Sequence, residues 1–209
     1  MDSPWWVYMI GFSAQILFFF RVIIQWWKSE KAHEVVSPPS FWVLSILASM
    51  ILFLYGWLRQ DISIFAGEVF IYYIYMWNIW EQGLYRKLPR IVPVLQALFP
   101  VVVVVALLQD VPRFVATFRP SEDMPLNLMI FGLAGQLVYK SRFVYQVIYG
   151  IRRKVSKLPL MFWILAVTGA LMIIVYGLIR HDWVLVIGQF GIVASLRNIW
   201  IALSARKTT

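Results

Sequence analysis

Residues 55–61 read YGWLRQD, and residues 176–182, 121 positions later, read YGLIRHD. The echo continues in both directions at the same offset. Gly11, Gln15, Arg21 and Gln25 meet Gly132, Gln136, Arg142 and Gln146. Pro38, Phe41 and Trp42 meet Pro159, Phe162 and Trp163, and Gly67 meets Gly188. After a one-residue deletion, Asn78, Ile79 and Trp80 meet Asn198, Ile199 and Trp200. Agreement among apolar residues is cheap in a greasy chain. Agreement of Arg, Gln, Asp and Asn in register is not, so the sequence is an internal duplication.

The duplicated unit is too apolar for water. Of the 209 residues, 61% are hydrophobic, and only 14% are charged, against about 25% in soluble domains. Mean hydropathy is +0.74. The natural solvent is a bilayer. No cysteine is present, which excludes disulfides and thiolate chemistry. His33 and His181 stand apart, and no HExxH, GxSxG or glycine-rich phosphate loop occurs. No cofactor is therefore expected, and no enzyme constellation is visible. The opening MDSPWW lacks a basic leader and is expected to start a retained first span. The net charge of +9 fits basic cytoplasmic loops better than nucleic acid, which is not an expected partner.

A membrane-crossing helix needs about 20 mostly apolar residues. Seven segments qualify, at roughly 4–27, 38–59, 62–85, 91–109, 126–149, 159–180 and 183–204. Pro38, Pro39 and Pro159 suit helix starts, where a missing N–H costs nothing. Trp5 and Trp6 lie about 31 Å from Trp26 and Trp27 at helical rise, the separation of two interfacial belts. Eleven Lys and Arg fall on one set of loops and ends and four on the other. This places the N-terminus outside and the C-terminus in the cytoplasm, with a bacterial inner membrane as the setting. The expected fold is an all-α polytopic membrane protein. Residues 1–87 and 126–209 form parallel triple-helix bundles, and 88–125 holds an unrepeated linker helix and an outer loop, a 3+1+3 order.

Several residues are out of place in lipid. An arginine at a helix centre costs at least about 2.5–3.5 kcal/mol on insertion scales. Arg21 has a twin in Arg142, and Lys140 and Arg197 add two more cations within spans. Gln15, Gln25, Gln136, Gln146, Gln189, Asn78 and Asn198 add amides, and Glu68 is the one acid well inside a span. Polar side chains can simply hold helices together, and Arg21 could snorkel to the headgroups. Those readings explain a single arginine well and a duplicated basic set less well. Arg21 and Gln25 share a helix face, as do Arg142 and Gln146. The alternative is a polar cavity lined by these side chains. Its positive sign suits phosphate or pyrophosphate, whose oxygens match the planar fork of arginine. Arg59–Asp61 and Arg180–Asp182 sit in short outer turns and read as local ion pairs or helix-end interactions. Tyr55-Gly56 and Tyr176-Gly177 read as close-packing sites.

The stretch RVIIQWWKSEKAHEVVSPPSFWVLS at 21–45, followed by LYGWLRQD and an intramembrane Gly67-Glu68, resembles the lipid A biosynthesis N-terminal domain family. The first repeat supplies Arg21, Gln25, Trp26, Ser29, Glu30, Lys31, Phe41, Trp42, Arg59 and Asp61 of the family pattern. The second supplies Gly188, Gln189, Arg197 and Asn198. Each repeat departs somewhere: Glu68 and Trp77 replace Gln and Arg in the first, and GIR replaces SEK in the second. The resemblance implies a link to lipid A or envelope glycolipid synthesis, without a soluble glycosyltransferase domain. The 3+1+3 order also resembles the SWEET and PQ-loop transporters, a likeness of architecture that fixes no substrate.

Three functions fit this reading. The leading one is a transporter or flippase-like protein for a phosphorylated lipid carrier or glycolipid, with Arg21, Arg142, Lys140 and Arg197 on the phosphate. Gln15, Gln136, Glu68 and Gln189 would line the path nearer the outer side. The others are a SWEET-like carrier of small sugars and a noncatalytic membrane subunit that docks a cytoplasmic glycosyltransferase. The partner is accordingly an anionic lipid or lipid-linked sugar.

Overall fold

A computed structural model describes residues 3–32, 38–122, 124–153 and 159–207. His33, and Lys154 and Lys157 of the expected basic loops, lie outside them. Among the described residues the structure is helical throughout: α1 (Trp5–Ala32), α2 (Pro39–Leu58), α3 (Ile62–Glu81), α4 (Ile91–Leu107), α5 (Val111–Phe118), α6 (Leu126–Arg153), α7 (Leu160–Ile179), α8 (Trp183–Ile187) and α9 (Ile192–Lys207). The chain divides into two compact units, Met1–Met129 and Ile130–Thr209.

Among the described residues six stretches are long and apolar enough to cross a membrane: α1 to α4, α7, and α8 with α9. The protein is a membrane protein of the all-helical class. The remaining expected span, α6, has 28 residues and ample length. Gln136, Lys140, Arg142 and Gln146 make it too polar for that set. The outward surfaces are apolar, as lipid requires: Trp5, Trp26 and Trp27 are exposed, and Pro100 alone is buried along α4.

Local chemistry explains the helix ends. Pro38 and Pro159 cap α2 and α7 with matching backbone angles (φ −68°, ψ 157° and φ −73°, ψ 157°). The α2–α3 turn closes by the Asp61 N–H donating to the Gly56 carbonyl (2.9 Å) and the Gln60 N–H to that of Trp57 (3.0 Å). The second repeat copies it, with Asp182 on Gly177 (2.7 Å) and His181 on Leu178 (3.2 Å). This is a Schellman closure. Its left-handed position falls on Gln60 (φ 50°) and His181 (φ 49°). Asp61 Oδ1 then accepts from the Ser63 and Ile64 N–H groups, and Asp182 Oδ1 from Leu185. The aspartates are helix N-caps, in line with the helix-end reading. Gly56 is held by crowding: a Cβ there would lie 2.8 Å from the Phe65 nitrogen.

In the first unit α2 packs on α1 and α3, and α4 packs on α3. Pro100 lies inside α4. It has no N–H, so the carbonyl of Gln96 one turn earlier loses its helical donor. The Tyr72 hydroxyl of α3 donates to that carbonyl (2.9 Å), and Tyr73 donates to the next one, Ala97 (3.2 Å). Tyr85 donates to the Gln96 side chain (2.7 Å). Three tyrosines thus anchor α4 at its proline. Tyr72→Phe should cost about 1–3 kcal/mol, the penalty for an orphaned buried carbonyl. Thermal unfolding in detergent checks this, and an unchanged midpoint would rule the anchor out.

In the second unit α7 packs against α8 and α9. The expected last span is not one helix. It breaks at Gly188–Gly191 between α8 and α9, whereas its first-repeat counterpart α3 runs unbroken.

Candidate functional site

The first-repeat arginine is turned inward. Arg21 is 7% exposed, and its Nη1 donates to Ser45 Oγ (2.7 Å) and to the Tyr75 hydroxyl (3.2 Å). Ser45 in turn donates to the Phe41 carbonyl (2.6 Å), which fixes the orientation of its oxygen. Three rings enclose the guanidinium, with centroids 4.4 Å (Phe18), 4.9 Å (Phe41) and 5.7 Å (Tyr75) from Cζ. A cation over aromatic faces gains about 2 kcal/mol when desolvated. The helices therefore supply both hydrogen-bond acceptors and a quadrupolar cage. Snorkelling does not describe this side chain.

One helical turn along α2, Ser49 Oγ donates to Oε2 of Glu68 (2.6 Å), which is 2% exposed. Ser45 and Ser49 lie one helical turn apart on α2 and point at the two intramembrane charges, one serine for each. Gln15 is buried on α1, and Gln25 is half-buried. The Asn78 amide is spent on its own helix, donating to the Ile74 carbonyl (2.8 Å).

The second-repeat arginine keeps the cage. Arg142 is 8% exposed, and its Cζ lies 3.8 Å from the Tyr139 centroid, 4.8 Å from Phe143 and 5.6 Å from Phe162. Lys140 and Gln136 are buried on the same helix, and Gln146 is half-buried one turn on. Gln189 sits in the Gly188–Gly191 break, buried, with Nε2 3.4 Å from the Leu185 carbonyl. Asn198 donates to the Ala194 carbonyl (2.8 Å), as Asn78 does in its own helix. Arg197 lies on the exposed side of α9. The buried candidates are thus Arg21, Gln15 and Glu68 in one unit and Arg142, Lys140, Gln136 and Gln189 in the other. Arg197 and the two asparagines are not drawn into either interior.

Sequence reasoning missed Ser45, Ser49 and Tyr75. The serines could have been found, because two small hydroxyls at i and i+4 in an otherwise apolar helix mark one polar face. Tyr75 could not, since the chain has ten tyrosines and its neighbours Tyr72 and Tyr73 serve the α4 anchor instead. Arg59, read as a partner in a local ion pair or helix-end interaction, donates to Ser3 Oγ (3.0 Å) and the Tyr8 hydroxyl (3.1 Å).

The family model of the Lipid A Biosynthesis N-terminal domain matches residues 10–80 and again residues 131–200. Both matches carry one arginine cage. Among curated proteins, the lipid-A-disaccharide synthase of Chlamydia pneumoniae is 28% identical over 199 residues, covering 91% of this chain and 33% of the relative. Those of Chlamydia felis and Chlamydia trachomatis serovar D are 24% identical over 213 residues and 25% over 208. They cover 93% and 94% of this chain and 33% and 34% of the relative. The chain spans about a third of the length of the curated relatives it matches. No solved structure matches it significantly.

Proposed function

This chain belongs to the Lipid A Biosynthesis N-terminal domain family, and on that premise we propose that it moves a phosphorylated lipid carrier or glycolipid across the bacterial inner membrane. One observation carries the reading: each family match buries a guanidinium under aromatic rings inside apolar helices. A permanent cation in that medium is costly, and a phosphate ligand offsets the cost through charge-assisted bonds. The protein would sit with its N-terminus outside. Its two repeats, 1–87 and 126–209, would act as parallel triple-helix bundles joined through 88–125. The basic ends at Lys31, Arg86, Lys87 and Arg90 support that orientation.

Native mass spectrometry of the gently extracted protein, beside an Arg21→Ala/Arg142→Ala variant, tests the reading. A phosphorylated lipid should accompany the native protein and be missing from the double variant, and vesicles containing the protein should translocate that lipid. Equal lipid content in a folded double variant would overturn the assignment of the arginines.

A second reading is favoured by the relatives. In proteins named lipid-A-disaccharide synthase, the matching segment occupies a third of a longer chain. The segment here would then work beside such a synthase, presenting or receiving its lipid through the cytoplasmic loops. Co-purification of a synthase that is lost on changing Lys28 and Lys31 would favour this arrangement.

A further inference from the structure

The two arginine cages are alike in their rings and burial and unlike in their hydrogen bonds. The partners of Arg21 are Ser45 and Tyr75. The duplication places Ala166 and Ser195 at those positions. Ala166 is buried and has no hydroxyl, and the Ser195 hydroxyl donates to Gly191 (3.1 Å) in its own helix. Nε is buried without a partner in both arginines, but among the described residues the Arg142 guanidinium makes no hydrogen bond and no ion pair at all. One level outward the pattern repeats. Ser49 and Glu68 hydrogen-bond to each other, whereas Ala170 and Gln189 stand in their places. Gln189 Oε1 is buried and unpartnered.

Charge divides the same way. Residues 1–129 carry nine acids and nine Lys or Arg, and residues 130–209 carry ten Lys or Arg against a single acid. That acid is Asp182, which caps α8 at the outer turn. The second unit therefore has no free carboxylate to neutralise Arg142. Its two buried cations also lie close together on one helix: Lys140 is buried two residues from Arg142, where the first repeat has an exposed Phe19. Finally, the helix break at Gly188–Gly191 occurs only in the second repeat. Irregular backbone at membrane depth is tolerated where it is covered by protein or lines a cavity, and interrupted helices are where transporters place ligand sites.

We infer that the second repeat alone carries the anion site: a phosphate or pyrophosphate group binds Arg142 over the Tyr139 face, while Arg21 is a structural residue held by two hydrogen bonds of its own bundle. This rests on the phosphate reading proposed above and replaces its two-armed clamp with one binding half and one bracing half. The unsatisfied N–H groups of Arg142 are the donors, and no protein acceptor has to be displaced. On Arg21 the Nη1 group would first have to break two hydrogen bonds.

The test uses the whole protein in neutral detergent, with dodecyl phosphate and inorganic phosphate as probes. Binding is read as a shift in unfolding temperature and as Kd by calorimetry. Arg142→Gln should weaken dodecyl phosphate binding at least tenfold, and Arg142→Lys should weaken it less, because the charge survives without the fork. Arg21→Gln should leave Kd within about twofold while lowering the unfolding temperature. Ala166→Ser/Ser195→Tyr, which gives Arg142 the partners of Arg21, should weaken binding with every charge retained. Equal binding of inorganic phosphate would support the site and make free phosphate its ligand. Preference for dodecyl phosphate would support a lipid headgroup.

Binding that needs Arg21 as much as Arg142 would overturn the one-sided site and leave the phosphate reading standing. No binding of either probe by the native protein would overturn both. Binding at Arg142 without translocation of any phospholipid probe in vesicles would uphold the site and overturn the transporter.

Discussion

Replacing Gly169 with valine should unfold the second repeat. Gly169 lies on α7, where a Cβ would stand 2.6 Å from the Cβ of Tyr139 on α6 and would press on the Tyr139 backbone as well. A flexible side chain could swing away, but backbone cannot move without displacing α6. Gly135 faces the same crossing from the other helix, with a Cβ position 3.0 Å from Met172 Cβ. Such small-residue crossings let membrane helices approach closely enough for dispersion forces to hold them. Overpacking a core usually costs about 1–3 kcal/mol; a collision with main chain belongs at or beyond the top of that range. Tyr139 is also the ring nearest Arg142, so the displacement would reach the anion site.

The first repeat supplies the control. Its equivalents are Ala14 and Ala48, both fully buried, so that crossing already accommodates two methyl groups. Ala48→Gly should therefore cost only about 0.5–1 kcal/mol through helix propensity. Thermal unfolding of both variants in detergent makes the comparison. A Gly169→Val protein that melts with the native one would mean that the α6–α7 contact is not a packed interface.

Most of the fold was legible because lipid constrains sequence severely. Length and hydropathy found six of the seven expected spans, and prolines marked the starts of α2 and α7. The duplicated polar residues were legible because agreement of Arg, Gln and Asp at one offset has no compositional excuse. The helix break at Gly188–Gly191 was not. Gly67 and Gly188 are equivalent in sequence, yet α3 passes through one and the helix stops at the other. Glycine permits a break but does not require it, and the second glycine at 191 only makes sense once the break is seen. The partners of Arg21 were equally invisible, because periodicity gives the face of a helix and not the group a long side chain finds. Ser45 and Tyr75 come from two other helices, 24 and 54 residues away.

Removing those two partners should have the second large effect. Ser45→Ala with Tyr75→Phe leaves Arg21 its rings and takes away its two hydrogen bonds, which is the state of Arg142. Two magnitudes decide what the bonds are for. Hydrogen bonds that merely glue membrane helices average about 0.6 kcal/mol each, so the pair would then be worth little more than about 1 kcal/mol. Stripping the partners from a buried charge costs about 3–5 kcal/mol. The bracing role of Arg21 predicts the larger figure, and each single variant should fall between, at about 1.5–3 kcal/mol for a bond to a charged group. Equilibrium unfolding of the double variant in detergent separates the two cases. A loss near 1 kcal/mol would end the structural assignment of Arg21. A loss of several, with any folded remainder now binding dodecyl phosphate more tightly, would show that the two repeats differ by what surrounds the arginine rather than by the arginine itself. The duplication would then have kept one cation twice and given the copies separate tasks by changing two hydroxyls.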